Sequence, residues 1–250
     1  MVTVLRNIKP AYSAGVYLPE WNREQLEEAM RLWKEMGTDS PYFKRWFGNS
    51  KVVDRNGKPR RMYHMSTAAG FTKFDTMMSK DDIGSHFGTV RQARQVYNDV
   101  NGNKLTGTGM EGLGTYCCYL KIENPLLLPD LGNFDGYNIV EYLRHSIEDT
   151  DQEALVNALE KREKVLRRLK PNVSQWSFGY NEFIVNFLKQ FGYDGLKYLN
   201  EHEGRGYSFA VFDANQIKSV TNRGTFDPNS DEIMESYFFL RMLVNYFIMT

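Results

Sequence analysis

The sequence predicts an α+β fold, on three observations. Short apolar runs of strand character, 60–64, 116–122, 196–199 and 208–212, are scattered among segments of helical period without regular alternation, unlike a doubly wound α/β sheet. With 42% hydrophobic and 25% charged residues over 250 positions, the chain has enough apolar material for a sizeable core. No internal repeat or low-complexity stretch divides it.

Along the chain, residues 22–36 place Leu26, Met30 and Trp33 on one helical face, with Asn22 as N-cap and Gly37 as stop, so these side chains are expected to pack. Asn56-Gly57 is a turn leading into a strand at 60–64, after which Phe71 and Phe74 anchor a loop. Residues 85–89 read as a short strand followed by a helix through 91–97, and the glycine-rich stretch 101–114 as a flexible loop, either a lid or a hairpin tip. Tyr116 to Ile122 is a buried strand closed by Asn124-Pro125, with Leu126-Leu127-Leu128 as its continuation. Residues 137–170 read as helices, with Ile139, Tyr142 and Leu143 on one element and Leu155, Leu159, Val165, Leu166 and Leu169 on the next. A further helix covers about 180–191, two strands lie at 196–199 and 208–212, and an aromatic-rich helix is expected over 232–249. The Lys/Arg cluster at 161–170 reads first as a solvated helix face and second as a contact for an acidic partner.

Composition also excludes. Lys plus Arg and Asp plus Glu are both 31, so no global field draws the molecule to nucleic acid or anionic lipid. Cys117 and Cys118 are neighbours on a strand and point to opposite faces, which rules out a disulfide between them and fits a reducing, cytoplasmic compartment. No secretory leader is visible, and the apolar tract 237–249 is interrupted by Arg241 and Asn245 and too short to span a bilayer. Phosphate-loop, CxxC and HExxH patterns are absent, leaving mononucleotide-binding and zinc-hydrolase readings without support, and no metal site is expected.

Four blocks in order carry a resemblance. They are the aromatic-Trp46-Phe47-Gly48-x-Ser50-Lys51-Val52 run leading to Tyr63-His64, Ser85-His86-Phe87-Gly88-Thr89 with Ala93 and Tyr97, Tyr119 to Leu126, and Gly192-Tyr193-Asp194-Gly195 through Ser208-Phe209-Ala210-Val211-Phe212 to Gln216-Ile217-Lys218-Ser219 and Gly224-Thr225-Phe226-Asp227-Pro228. Together they resemble the ADP-ribosyltransferase domains of phage and prophage polyvalent proteins, in the histidine-containing branch that includes diphtheria toxin and the poly(ADP-ribose) polymerases.

The resemblance implies a split, mostly antiparallel sheet holding NAD across a central cleft. It implies an NAD-dependent mono-ADP-ribosyltransferase, phage-encoded and effector-like, acting in the host cytoplasm without a metal. His64 stands where the family's first histidine holds the adenine-side ribose, its ring donating to a ribose hydroxyl while a backbone partner fixes the other nitrogen. Met65 replaces the usual glycine, and Ser66 and Thr67 follow as small hydroxyl donors. His86, counted with the catalytic residues, stands where a tyrosine commonly stacks on nicotinamide, with Tyr97 a second stacking candidate and Phe87 either beside the nucleotide or in the core. Ser208 occupies the position where the branch places its catalytic glutamate.

The Glu-x-Glu pair Glu201 and Glu203 lies just upstream of Ser208, and in an extended segment both carboxylates share one face. Glu203 is the first choice for the acid that stabilises positive charge on the ribose, with Glu201 second, as a substrate-side base. The expected acceptor is a host protein in preference to nucleic acid, because net charge is zero and no aromatic-basic stripe is evident. The alternative, motivated by Met65 and Ser208, is a catalytically silent domain that binds NAD or a partner. The expected organisation is a helical extension at 1–39, the transferase-like domain at 40–228 with a helical insertion at about 135–190, and a C-terminal helix at 229–250, packed on the core or serving as a dimer or partner surface.

Overall fold

The computed structural model describes residues 12–13, 16–17, 21–77, 79, 81–104, 114–147 and 150–235. A small antiparallel pair, β1 (Tyr12–Ser13) and β2 (Val16–Tyr17), precedes helix α1 (Arg23–Met36). The predicted N-cap forms a full capping box. Asn22 Oδ1 accepts from Gln25 N–H at 2.8 Å and Gln25 Oε1 accepts from Asn22 N–H at 3.1 Å. Gly37 ends the helix at φ +53°, where a side chain would be strained. Trp33 packs on Phe43 and Phe226 as expected, whereas Met30 is exposed, because the packed face is narrower than the apolar stripe suggests.

Helix α2 (Pro41–Phe47) is capped by Ser40 and buries Phe43, Trp46 and Phe47 against Tyr119 and Phe226. Trp46 Nε1 donates to the Asn215 carbonyl at 3.0 Å. The aromatic-Trp-Phe-Gly run is therefore a packing element that ties the N-terminal helices to the sheet.

The remaining strands are β3 (Met62–Ser66), β4 (Ser85–Phe87), β5 (Gly114–Leu120), β6 (Pro125–Leu128), β7 (Gly195–Asn200), β8 (Gly206–Val211) and β9 (Ile217–Ser219). The remaining helices are α3 (Val90–Lys104), α4 (Gly136–His145), α5 (Thr150–Leu169) and α6 (Phe178–Gln190). Three strands form one sheet in the order β3-β5-β9 and four form another in the order β4-β8-β7-β6, with β6/β7 the parallel pair among otherwise antiparallel neighbours. The fold is α+β with a split sheet.

Three sequence expectations change. Leu126–Leu128 does not continue the strand before it. The chain leaves β5, crosses at 121–124 and enters the other sheet as β6, because Asp194 accepts from the Glu123 and Asn124 N–H groups at 2.6 and 2.8 Å and turns the backbone toward β7. The expected loop at 101–114 begins later, since α3 runs to Lys104, and 105–113 lie outside the described residues. Residues 231–235 are not helical. Glu232 forms an antiparallel backbone bridge with Lys73 in the loop after β3, Ile233 N–H donates to Thr72 O at 2.8 Å and Ser219 N–H of β9 to Ile233 O at 2.9 Å, and the rest of the expected C-terminal helix lies outside the described residues.

One apolar core lies between α4, α5, α6 and the four-stranded sheet, and includes Ile139, Leu159, Ile184, Leu196 and Phe212. A second, with Met62, Phe74, Phe87, Cys118, Leu120 and Phe209, fills the space between the two sheets. The sheets meet where Tyr63 and Gly88 exchange backbone hydrogen bonds of 2.8 and 2.9 Å.

Candidate active site

A cavity of about 140 Å³ opens at that junction, lined from β3 by His64 and Met65, from β4 by His86 and Phe87, from α3 by Gln92, Ala93 and Val96, and from the β7–β8 hairpin by Tyr198, Asn200, Glu203 and Ser208. Its α3 wall presents apolar Ala93 and Val96 beside the Gln92 amide, and its hairpin wall is polar. Antiparallel pairing sets the placement, with His64 opposite Tyr116, His86 opposite Ala210, and Tyr198 opposite Ser208.

His64 is largely buried between Phe74 and Phe87, at ring separations of 5.1 and 5.3 Å. Burial lowers its pKa below the ordinary imidazole value, more than the His86 carbonyl raises it, so the ring is neutral at pH 7. Nδ1 lies 2.7 Å from that carbonyl and must donate to it, which leaves Nε2 a lone pair. The backbone partner is a carbonyl, so a neutral His64 offers an acceptor to a ligand hydroxyl, not the donor expected from the sequence.

Both ring nitrogens of His86 are engaged. Nε2 donates to the Ile83 carbonyl at 3.2 Å and Nδ1 accepts from Tyr198 O–H at 2.9 Å. Burial lowers its pKa, with Asp82, Ile83 and Glu203 opposing. Phe134 and Tyr198 flank the ring at 5.4 and 5.7 Å, so His86 forms a fixed wall of the cavity with neither nitrogen available for proton transfer. Burial, and then the nearby Glu203 charge, raise the Tyr198 phenol and keep it a hydrogen-bond donor.

Glu203 reaches the cavity from a turn, not from an extended strand. β7 ends at Asn200, the chain bends through 201–205, and Gly204 at φ +118° lets it double back into β8. The Asn200 side chain clasps the turn, Oδ1 accepting from Glu203 N–H at 3.0 Å and Nδ2 donating to the Glu203 carboxylate and to Ser208 Oγ. Asp130 accepts from the Glu201 and His202 N–H groups at 2.8 and 3.3 Å. On the other side, buried Gln92 Nε2 donates to the Gly204 and Gly206 carbonyls at 2.8 and 3.2 Å.

The shared-face expectation for Glu201 and Glu203 fails because the segment bends. Glu203 lines the cavity and Glu201 is exposed outside it. Ser208 is buried beneath Asn200, and Met65 reaches the cavity with its sulfur 3.6 Å from Thr115 Oγ1. Ser66, Thr67 and Tyr97 are not among the cavity-lining residues. Ser66 Oγ accepts from Ala68 N–H at 3.0 Å, and Thr67 is exposed. Phe87 is both wall and core.

Gln92, Asn200 and Tyr198 were not singled out from the sequence. Thr89-x-x-Gln92 carries the capping-box pattern that could have drawn attention to Gln92. Thr89 N–H donates to Gln92 Oε1 at 2.6 Å and Gln92 N–H donates to Thr89 Oγ1 at 3.3 Å. No group of three or more metal-ligating side chains occurs among the described residues.

A split-sheet α+β scaffold with a histidine-marked cleft between its sheets is the class that the fold and the site define. A family model described as ADP-ribosyltransferase in polyvalent proteins matches residues 54–226, well over half of the chain, and the protein belongs to that family. No curated protein and no solved structure gives a significant match to the chain.

Proposed function

We propose that the protein is an NAD-dependent mono-ADP-ribosyltransferase acting on a macromolecule of the host cell, with Glu203 as its catalytic acid and His64 as its ribose ligand. The observation that supports this most is the meeting of a neutral, backbone-fixed histidine and a clasped carboxylate in one cavity at the junction of the two sheets. At about 140 Å³ the cavity is smaller than the ~300–1,000 Å³ usual for ligand pockets. It fits a single ring, nicotinamide, with the rest of NAD lying along the cleft.

In this reading His64 Nε2 accepts from a ribose hydroxyl, and the His86–Tyr198–Phe134 wall borders the nicotinamide. The Glu203 carboxylate offsets the positive charge that develops on the ribose as the bond to nicotinamide breaks. Nicotinamide leaves neutral, the anomeric carbon bonds to a nucleophilic atom of the acceptor, and the acceptor's proton passes through Glu203 to solvent. Glu201 is outside this chemistry.

Label from adenylate-labelled NAD is expected to appear in macromolecules of a host lysate, together with free nicotinamide. Binding of NAD without either product would overturn the transferase reading. It would favour the second reading, a silent NAD-binding domain, which draws on Met65 at the cavity wall and on the cavity's small size.

A further inference from the structure

The six cations Lys161, Arg162, Lys164, Arg167, Arg168 and Lys170 are all exposed, and none forms an ion pair with an acid among the described residues. Complementing the α5 dipole would explain only those in its last turn, because that effect fades within a turn. Lys161, Arg162 and Lys164 lie further back. In a chain of net charge zero this is a local positive patch.

Exposed rings follow it in the chain. The turn after α5 is tight, with Val173 N–H donating to Lys170 O at 3.1 Å and Ser177 N–H to Ser174 O at 3.0 Å. It presents Trp176, 65% exposed, followed by exposed Phe178, and Tyr137 backs the indole at 5.6 Å.

The start of α6, next to the Trp176 turn, lies toward the cavity end of the four-stranded sheet. α6 returns to β7 through a short turn, so its first residues lie near the β7 end that carries Asn200. Asn181 Oδ1 accepts from Gly136 N–H at 2.8 Å, joining α6 to the start of α4. The segment before α4 holds Phe134 against Tyr198 at 4.1 Å and Asp130 against the turn of Glu203. One continuous stretch, 130–137, thus runs from the cavity wall to Tyr137 and Trp176.

We infer that the end of α5 and the Trp176 turn dock a single-stranded polynucleotide, the acceptor, and present it to the cavity. This rests on the transferase reading and departs from the protein acceptor expected from net charge. Lysine and arginine side chains neutralise successive phosphates, and exposed indole and phenyl faces stack unpaired bases. An acidic protein segment would use the cations and leave two aromatic faces in water.

The test uses the full chain and fluorescent 20-nucleotide mixed-sequence single strands, followed by anisotropy. Affinity is expected to fall on the order of a hundredfold between about 50 and 200 mM salt, as for several phosphate contacts. Trp176→Ala is expected to weaken binding by roughly tenfold or more, as loss of one stacked base does. The triple variant Lys164→Glu, Arg168→Glu, Lys170→Glu is expected to abolish it with the circular dichroism spectrum unchanged. Failure of the wild-type chain to bind, or affinities unmoved by both variants, would overturn the inference. So would lysate label that resists nuclease and is removed by protease, which would make the acceptor a protein. Oligonucleotide binding without nicotinamide release would sink the transferase reading and leave the surface standing. Release without binding would do the reverse.

Discussion

Gln92 sits buried at the start of α3 with its amide divided between two elements, Oε1 on Thr89 N–H and Nε2 on the Gly204 and Gly206 carbonyls. Removing it leaves three part-buried backbone groups without their partner, so Gln92→Ala is expected to lower stability by about 1–3 kcal/mol in total. It also frees the turn that aims Glu203. We expect nicotinamide release to show a kcat lowered by about tenfold or more with little change in KM, since small misplacements of a catalytic group cost about that much. An unaltered kcat in a variant that shows the stability loss would contradict a positioning role. The residues that mark the cleft were legible where chemistry singles them out. His64 stood out as a histidine at a strand end in a family-like motif, and Glu203 as a carboxylate near the expected acid position. Gln92 and Asn200 were not, because an amide is equally at home on a solvated helix or a turn, and only the tertiary approach of α3 to the hairpin gives them acceptors.

Elements with local instructions were read well, and those fixed by distant partners were not. Asn22, Gln25 and Gly37 specify both ends of α1 within sixteen residues of sequence. The switch of sheets before β6 depends on Asp194, some seventy residues away, and β9 is three residues whose pairing comes from β5. The strap at 227–235 is held in a similar way. Fully buried Lys218 donates to the Ser230 and Glu232 carbonyls at 2.9 and 3.1 Å and pairs with Glu235 at 2.6 Å. Burial raises the Glu235 pKa and Lys218 opposes that rise. Replacing the lysine would leave a buried carboxylate without its counter-charge, held among the described residues only by the Asp227 N–H at 2.8 Å, so Lys218→Met is expected to lose about 3–5 kcal/mol in urea denaturation. A loss below about 1 kcal/mol would show that the pair does not hold the strap.

For the molecule as a whole, a net charge of zero averages local excesses of either sign, so it describes the global field and not the surface at the end of α5. Its pH response follows from its buried imidazoles. His64 and His86 both have folded pKa values below the ordinary 6.5, lowered chiefly by burial. Above that value both states are neutral and the stability is fully present. As pH falls through 6.5 the unfolded chain takes up protons that the folded chain resists, and stability declines. Denaturation midpoints are therefore expected to be level from about pH 7 to 8 and to drop toward pH 5.5, with the drop shallower in His64→Gln; an equal drop in that variant would remove His64 from the account.

The central claim is that one carboxylate of the Glu-x-Glu pair acts at the cleft, and steady-state nicotinamide release measures it. Glu203→Gln is expected to lower kcat by about a hundredfold or more while NAD still binds, and Glu201→Gln to leave kcat within about twofold of the parent protein. Full activity in Glu203→Gln, or the larger loss in Glu201→Gln, would contradict it.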